Sequence, residues 1–354
     1  MPIESNSSTA ATQPARKRVP ITRTRKILYG AIMTIWFLAV AEVTLWIIGF
    51  EYRPGTVVIQ KEGKQTAEKL ERSEELGWQL APNQGNVNEA GFIGPPISVK
   101  REPGVLRIAG LGDSCTQFGE PPYIEIVRDL LKNERGKQVE SLNAGVSGFS
   151  SHQGLIRLRG AVVEYKPDVV VVYFGWNDHW VAPQKTDAGQ EVARNSPLTK
   201  FLWKVDRSKL VQAGLFVADA VRPPPVPSFR VPLDDYTKNL REIIRMIRAI
   251  PAVPILVTAP TNATRSTSWG EFVHLPRTLA EEYSSPYVIH NSYVAATKLV
   301  AEEEHVPLVD AATDFGTADG LIMNDHIHPT QKGYERIAKS IADTITRENI
   351  QPAQ

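Results

Sequence analysis

Five short apolar runs alternate with helical stretches between residues 105 and 311, and this alternation constrains the fold more than any other feature of the chain. Short apolar runs bounded by turn residues are typical of strands that are buried on both faces of a parallel sheet. The five runs are VLRIAGLG (105–112), VESLNAG (139–145), DVVVVYFG (168–175), VPILVTAP (253–260) and VPLVDA (306–311).

Helical patterns separate these runs. They cover residues 122–134, 152–165, 233–250 and 290–304. In the third, four apolar residues fall on one helical face: Leu240, Ile243, Ile244 and Ile247. Alternating strands and helices predict an α/β fold, a three-layer α/β/α sandwich with a central parallel sheet. Active sites in such folds lie at the carboxyl ends of the strands.

An apolar segment at residues 27–50 precedes this region and contains one carboxylate, Glu42, and no amine. At about 1.5 Å per residue, 24 residues span about 36 Å, which is enough to cross a bilayer. Residues 1–26 carry six basic side chains and one acidic one, Glu4. This asymmetry predicts a transmembrane helix with its N-terminus in the cytoplasm and everything from Glu51 onward outside it.

The alternative for this segment is a cleavable signal peptide, because Ala39, Val40 and Ala41 resemble a small-x-small cleavage site. Cleavage there would leave the apolar sequence EVTLWIIGF as the new N-terminus, so the interpretation favours an uncleaved anchor. Glu42 is either a functional acid within the membrane or a glutamate that is protonated or packed against partners. The second alternative is the one predicted.

The domain organisation predicted from these features has four parts. Residues 1–26 form a basic cytoplasmic tail, residues 27–50 the transmembrane anchor, and residues 51–100 an irregular stalk or lead-in. The predicted α/β domain occupies residues 101–348, with an insertion at 179–233 that forms either a lid, a ligand pocket or a cap. A second long segment, residues 261–278, follows the fourth strand and is expected to overhang the carboxyl ends of the strands.

Charge and cysteine content exclude several functions. Outside the basic tail the chain has 34 basic and 38 acidic residues, whereas a nucleic-acid binder usually has a basic folded domain, so no nucleic-acid partner is expected. The only cysteine, Cys115, excludes an internal disulfide and a zinc site built from paired cysteines.

A serine follows the first predicted strand in GLGDSCTQFGE (110–120). A serine at a strand-to-helix turn lies beside the helix N-terminus, where negative charge is stabilised. Ser114 is therefore a candidate nucleophile, although Gly-Asp-Ser also caps many helices. The neighbouring Cys115 is the alternative nucleophile, and a buried apolar role is predicted for it instead.

Glycine-rich and polar sequences follow the second and third strands, NAGVSGFSSHQG (143–154) and GWND (175–178). Glycine lets a backbone N–H approach a substrate oxygen, and Asn177 offers a side-chain amide. Together with the Ser114 N–H they predict an oxyanion hole.

The sequence NDHIHPT (324–330) supplies a carboxylate and an imidazole three residues apart, Asp325 and His328. A serine nucleophile needs such a base and orienting acid. A zinc site would need a further protein ligand at close spacing, so no metal is predicted. His326 is expected to be a loop or core histidine.

These four blocks resemble, in order and approximate position, the conserved blocks of the SGNH hydrolases, the GDSL esterase and lipase superfamily. The resemblance covers about residues 105–345 and implies a flavodoxin-like fold. It assigns Ser114 as the nucleophile, and His328 and Asp325 as base and acid. The oxyanion donors are then the N–H groups of Ser114 and Gly148 and the Asn177 amide; Gly145 is the less favoured alternative to Gly148. One departure is Trp176, which stands where other members often have a small residue.

The resemblance implies a serine esterase that works through an acyl-enzyme without metal or organic cofactor. The expected substrate is a carbohydrate or lipid ester, with short acyl groups such as acetyl on carbohydrate favoured. Trp176 and Trp269 are candidate substrate contacts. The alternatives are an O-acyltransferase that uses the same triad on a glycan, a lipase or thioesterase, and a non-catalytic binding protein. The expected location is a single-pass membrane protein with its catalytic domain outside the cytoplasm.

Overall fold

The computed structural model describes residues 22–52, 70–135, 138–182, 185–222, 228–268, 285–316 and 318–352. The chain divides into two compact units. One combines residues 1–56 with 202–222, and the other combines residues 57–201 with 223–354.

The elements carry the following labels. The strands are β1 Leu70–Ser73, β2 Gly77–Leu80, β3 Leu106–Gly112, β4 Val139–Asn143, β5 Val169–Tyr173, β6 Val253–Val257 and β7 Leu308–Val309. The helices are α1 Arg23–Ile47, α2 Ser114–Gln117, α3 Tyr123–Arg135, α4 Ser151–Gly160, α5 Asp187–Arg194, α6 Pro197–Lys204, α7 Lys209–Ala220, α8 Leu233–Ala249, α9 Pro286–Glu303, α10 Ala311–Phe315 and α11 Gln331–Arg347.

The first unit contains α1 and α7. Helix α1 begins four residues earlier than the apolar segment predicted from the sequence, because Thr22 caps it by accepting a hydrogen bond from the Arg25 N–H at 3.5 Å. None of the residues of α1 is buried. Among the described helices it alone is long and apolar enough to cross a membrane, and a signal sequence would have the same properties.

The second unit contains the predicted parallel sheet. Its five strands lie in the order β4-β3-β5-β6-β7, and all neighbours are parallel. All five residues of β5 are buried. Because successive side chains of a strand point to opposite sides, both faces of β5 are covered. Val170 and Val172 belong to one hydrophobic core, whereas Val169 and Val171 belong to the other.

Helices cover both faces. Helices α4, α8 and α9 supply the core on the Val170 face, and α3 and α11 supply the core on the Val169 face. On α8 the four apolar residues predicted to share a face are buried together, and Ile247 and Ile244 are fully inaccessible. The predicted three-layer α/β/α architecture is confirmed.

The lead-in differs from the irregular stalk expected at residues 51–100. Strands β1 and β2 pair in an antiparallel hairpin, with Leu70 opposite Leu80. Leu80 and Phe92 are almost inaccessible and belong to the same core as Ala109 of β3. The later part of the lead-in is therefore an integral part of the second unit.

Candidate active site

Ser114 lies at the turn that follows β3, as its sequence position predicts. Asp113 caps the short helix α2 by accepting a hydrogen bond from the Cys115 N–H at 2.9 Å, and Ser114 retains 9% exposure. The turn is so tight that a Cβ on Gly112 would lie 2.0 Å from Oγ1 of Thr116. The Tyr173 carbonyl would lie 2.6 Å from the same Cβ, so only glycine fits there.

The loop before α11 is organised by the Asp325 carboxylate. Its Oδ1 atom accepts hydrogen bonds from the N–H groups of Ile327 and His328, both at 3.0 Å. Its Oδ2 atom lies 2.6 Å from Nδ1 of His328. An aspartate that bonds its own loop in this way holds a turn in one conformation. The imidazole of His328 is thereby fixed at one edge.

The other edge of the His328 ring faces Ser114. The Nε2 atom lies 2.9 Å from Oγ of Ser114. Because the carboxylate accepts only, Nδ1 carries the proton that bonds Asp325, and Nε2 is left to accept the Ser114 hydroxyl proton. The structure thus brings Ser114, His328 and Asp325 together, with the imidazole hydrogen-bonded between the hydroxyl and the carboxylate.

The Asp325 carboxylate is strongly held in its charged form. Its partial burial alone would raise the pKa, but the hydrogen bond and charge of His328, with the two backbone N–H groups, outweigh that effect. The result is a pKa lowered to about 2. A carboxylate that stays ionised across the physiological range can stabilise positive charge on the imidazole.

Asn177 follows β5 and lies against the turn that carries Ser114. Its Nδ2 atom donates to Oδ2 of Asp113 at 2.9 Å, which fixes the amide and leaves its second N–H unused by that bond. Burial raises the pKa of Asp113 to about 6 despite hydrogen bonds from Cys115 and Asn177. This bridge was not predicted from the sequence, where Asp113 carried only a capping role.

The loop after β4 offers two glycines, and their surroundings differ. The Gly145 N–H already donates to Oδ1 of Asn143 at 3.0 Å, and a Cβ at Gly145 would lie 2.4 Å from the Gln117 nitrogen. Gly148 has a φ of +79°, a region that favours glycine, and Trp78 packs against it. Of the two, Gly148 is therefore the better placed to offer its N–H to a ligand.

Arg230, at the end of the insertion, holds this glycine loop. Its guanidinium donates to the Gly148 carbonyl, to Oε1 of Gln153 and to Asp187, each at 2.7 Å, and it lies over the Trp78 ring. It is itself buried. No sequence pattern pointed to Arg230, because its partners come from three separate segments of the chain.

Cys115 and His326 are the neighbours of the candidate nucleophile and base in the sequence. Cys115 is fully buried, and burial raises the pKa of its thiol well above the usual value. A thiol in that state is a poor nucleophile. His326 lies in the loop with its Nδ1 atom 2.6 Å from Oδ1 of Asn262, and its φ is +66°. It takes no part in the Ser114 arrangement.

Of the two tryptophans predicted to contact the substrate, the structure describes Trp176 and does not describe Trp269. Trp176 is 1% exposed, and its ring stacks on His290 with 3.8 Å between centroids. It therefore packs in the interior beneath Asn177, and we do not retain it as a substrate contact. Trp269 lies in residues 269–284, outside the described part of the chain.

Among the described residues, no group of three or more histidine, cysteine, aspartate or glutamate side chains is placed to hold a metal ion.

Comparison with known proteins places this geometry in a family. Residues 111–336 match the GDSL-like lipase/acylhydrolase family. No curated protein matches the chain. Solved structures that resemble it include the lipase/acylhydrolase from Enterococcus faecalis, with 21% identity, a TM-score of 0.45, and coverage of 70% of this chain and 99% of that one. An acetylxylan esterase from Geobacillus stearothermophilus has 20% identity, a TM-score of 0.43, and coverage of 68% and 94%.

The family match begins within β3, ends within α11, and spans more than half of the chain. It includes all four blocks that the sequence analysis identified, from Ser114 to His328. The chain belongs to the GDSL-like lipase/acylhydrolase family, the SGNH hydrolases, and is an enzyme that hydrolyses ester bonds.

Proposed function

We propose that the protein is a membrane-anchored serine esterase whose catalytic triad is Ser114, His328 and Asp325. The observation that carries this proposal is the position of the His328 ring, 2.9 Å from Oγ of Ser114 on one side and 2.6 Å from the Asp325 carboxylate on the other. Hydrogen-bonded nucleophile, base and acid are what nucleophilic catalysis by serine requires.

The proposed reaction has two steps. His328 takes the Ser114 hydroxyl proton at Nε2 while Oγ forms a bond to the ester carbonyl carbon. The negative charge on the carbonyl oxygen is stabilised by the N–H groups of Ser114 and Gly148 and by the Asn177 amide. His328 then gives the proton to the departing alcohol, which leaves the acyl group on Ser114. Water, deprotonated by His328, releases the acid and restores the serine.

The proposed substrate is a short-chain ester on carbohydrate, with acetyl as the first choice. Large rings pack against both functional loops, since Trp78 contacts Gly148 and Phe118 lies 5.8 Å from the His328 ring. Rings in these positions favour a small acyl group over a long chain.

A panel of aryl esters tests both the triad and the chain length. The full-length protein in detergent should hydrolyse the acetate fastest, with kcat/KM falling as the acyl chain lengthens, and Ser114→Ala should be inactive. A sugar acceptor should leave the rate unchanged. Preference for chains of eight carbons or more would indicate a lipase, and product formed only with acceptor would indicate an acyltransferase.

We also propose that α1 is an uncleaved anchor and that the catalytic unit lies outside the cytoplasm. The six basic residues before the segment support this orientation. A periplasmic reporter fused after residue 60 should be active, and a reporter that works only in the cytoplasm should not. Mass spectrometry of the purified protein should find the peptide that contains Ala39 to Ala41 intact. The opposite reporter result would reverse the orientation.

A further inference from the structure

Helix α7 carries a face of apolar side chains that the described residues leave uncovered. Val217 is 58% exposed, and Val221, the residue that follows the helix, is 77% exposed. Phe216 packs against Phe50 and Tyr52 on one side and is still 49% exposed. Between Lys209 and Asp219 the helix contains no charged residue. An exposed apolar surface of this kind marks a binding face for protein or lipid.

The N-terminus of α7 is capped by the carboxylate of Glu42, which belongs to α1. Glu42 accepts hydrogen bonds from the Lys209 and Leu210 N–H groups, each at 2.8 Å, and from the Ser208 hydroxyl at 2.9 Å. The first N–H groups of a helix lack partners within the helix, and a negative charge there is favourable. The only carboxylate in the apolar segment is thus fully engaged with α7.

The other polar groups around α7 are also satisfied within the same unit. The Gln212 side chain accepts from the Tyr52 N–H at 3.1 Å and donates to the Asp206 carbonyl at 2.8 Å. The Tyr52 hydroxyl donates to the Asp219 carboxylate. The Phe216 ring packs against the Tyr52 ring with 5.3 Å between centroids. Polar groups paired internally and apolar groups facing outward are the arrangement that lipid requires.

The length and flanks of α7 suit the surface of a bilayer. Its 12 residues extend about 18 Å, too short to cross the hydrocarbon layer. Charged residues flank it on both sides: Lys204, Asp206 and Arg207 stand before it, and Arg222 after it is paired with Asp219 at 3.0 Å. Glu42 lies five residues before the end of α1, close to where the anchor leaves the apolar layer.

We propose that α7 is a second membrane-contacting helix, which lies in the extracytoplasmic interface of the bilayer beside the end of α1 and is fixed there by Glu42. This proposal rests on the anchor proposed above, because α1 provides the membrane that α7 joins. It assigns residues 202–222 of the insertion to lipid binding.

Fluorescent probes on single cysteines test the contact in the full-length protein reconstituted into phosphatidylcholine vesicles. Val217→Cys reports on α7, Ile35→Cys on the middle of α1, and Val192→Cys on α5 is the matched exposed control, at 74% exposure. Cys115 is fully buried and should stay unlabelled, which the wild type checks. Lipids with a nitroxide high on the acyl chain should quench the Val217 probe at least twofold more than the Val192 probe.

The three probes separate the two proposals. If the Ile35 probe is quenched but the Val217 probe is quenched no more than the Val192 probe, the α7 proposal is overturned and the anchor stands. A protein, and not lipid, would then be the partner of the exposed face of α7. Quenching at none of the three positions would overturn the anchor and the α7 contact together.

The role of Glu42 has its own test. Glu42→Ala should reduce the quenching of the Val217 probe to the Val192 level while the Ile35 probe is unchanged. Glu42→Gln keeps one acceptor oxygen, so quenching of the Val217 probe in this variant should fall between that of the wild type and that of Glu42→Ala. Thr34→Ala, on the same helix, is the control and should change nothing. Full quenching at Val217 in Glu42→Ala, with Ile35 still quenched, would overturn the capping role.

Discussion

The Nε2 atom of His328 lies 2.9 Å from Oγ of Ser114, although the two residues are 214 positions apart in the chain. Ser114 is placed by the end of β3 and His328 by the loop that Asp325 holds. A second contact joins the same two segments, because the Cys115 thiol lies 3.7 Å from the Ile327 carbonyl. The nucleophile turn and the base loop are therefore fixed to each other.

Replacing Ser114 and Cys115 separately should identify the nucleophile. Ser114→Ala should abolish covalent labelling by a fluorophosphonate, because the attacking oxygen is removed. Cys115→Ala removes a buried sulfur and its weak contact with the Ile327 carbonyl but leaves the Ser114–His328 hydrogen bond, so activity should stay within about threefold. Gel fluorescence after labelling is the measurement. Labelling that survives in Ser114→Ala and disappears in Cys115→Ala would reverse the assignment.

The two histidines of the 324–330 loop should behave differently. His328→Ala should lower kcat by about 10³-fold or more, as loss of a triad base does. Asp325→Asn should lower kcat by a smaller factor, because the His328 ring stays and loses only the carboxylate charge that orients it. His326→Ala should change kinetics little. A similar collapse in both histidine variants, together with inhibition by a chelator that added metal reverses, would indicate a metal site instead.

The bridge between Asp113 and Asn177 should be needed to hold the oxyanion donor. Both Asp113 oxygens accept from N–H groups, so Asp113→Asn, with a single acceptor, sets two donors against each other. We expect Asn177→Ala to lower kcat by about 10²–10³-fold and Asp113→Asn to approach that loss. KM should change little in both. An Asp113→Asn enzyme with wild-type kcat would show that the bridge is only structural.

Arg230 should act as a positioning residue for Gly148. Arg230→Lys keeps the charge but cannot reach the Gly148 carbonyl, Gln153 and Asp187 together. We expect kcat and the rate of fluorophosphonate labelling to fall by the same factor, about tenfold or more, because both depend on the oxyanion donors. Arg336→Lys, at an exposed ion pair with Asp314, is the control. A loss of thermal stability with unchanged labelling rate would contradict the positioning role.

Asp178 should make stability depend on pH. Burial raises its pKa to about 7, whereas an unfolded aspartate titrates near about 3.9. The folded protein thus binds the Asp178 proton more tightly than the unfolded chain does. Protonation of Asp178 therefore adds to the free energy of unfolding as the pH falls from about 8 to about 4. Asp178→Asn should therefore raise Tm by several degrees at pH about 8.5, and the gain should shrink toward pH about 5. The exposed Asp343→Asn should show no such trend; equal gains at both pH values would exclude Asp178 as the source.

The sequence predicted the sheet and the position of the site because both leave local patterns. Strands buried on two faces are continuous apolar runs, and the polar blocks stand directly after them. The hairpin of β1 and β2 has no such run, so the lead-in was predicted as irregular. The partners of Arg230 and the Asp113–Asn177 bridge depend on contacts between distant segments, which no local pattern records. Trp176 was assigned to the substrate because its position in GWND, not its packing, was all that the sequence offered.

The contact between Glu42 and Ser208 also sets an order of assembly. The two residues are 166 positions apart, and closing a flexible loop of that length costs of order 4–5 kcal/mol. Because a chain is made from its N-terminus, Glu42 is synthesised before β1 to β5 and before its three donors at Ser208, Lys209 and Leu210. The contact between α1 and α7 therefore forms only after residues 57–201 have been made.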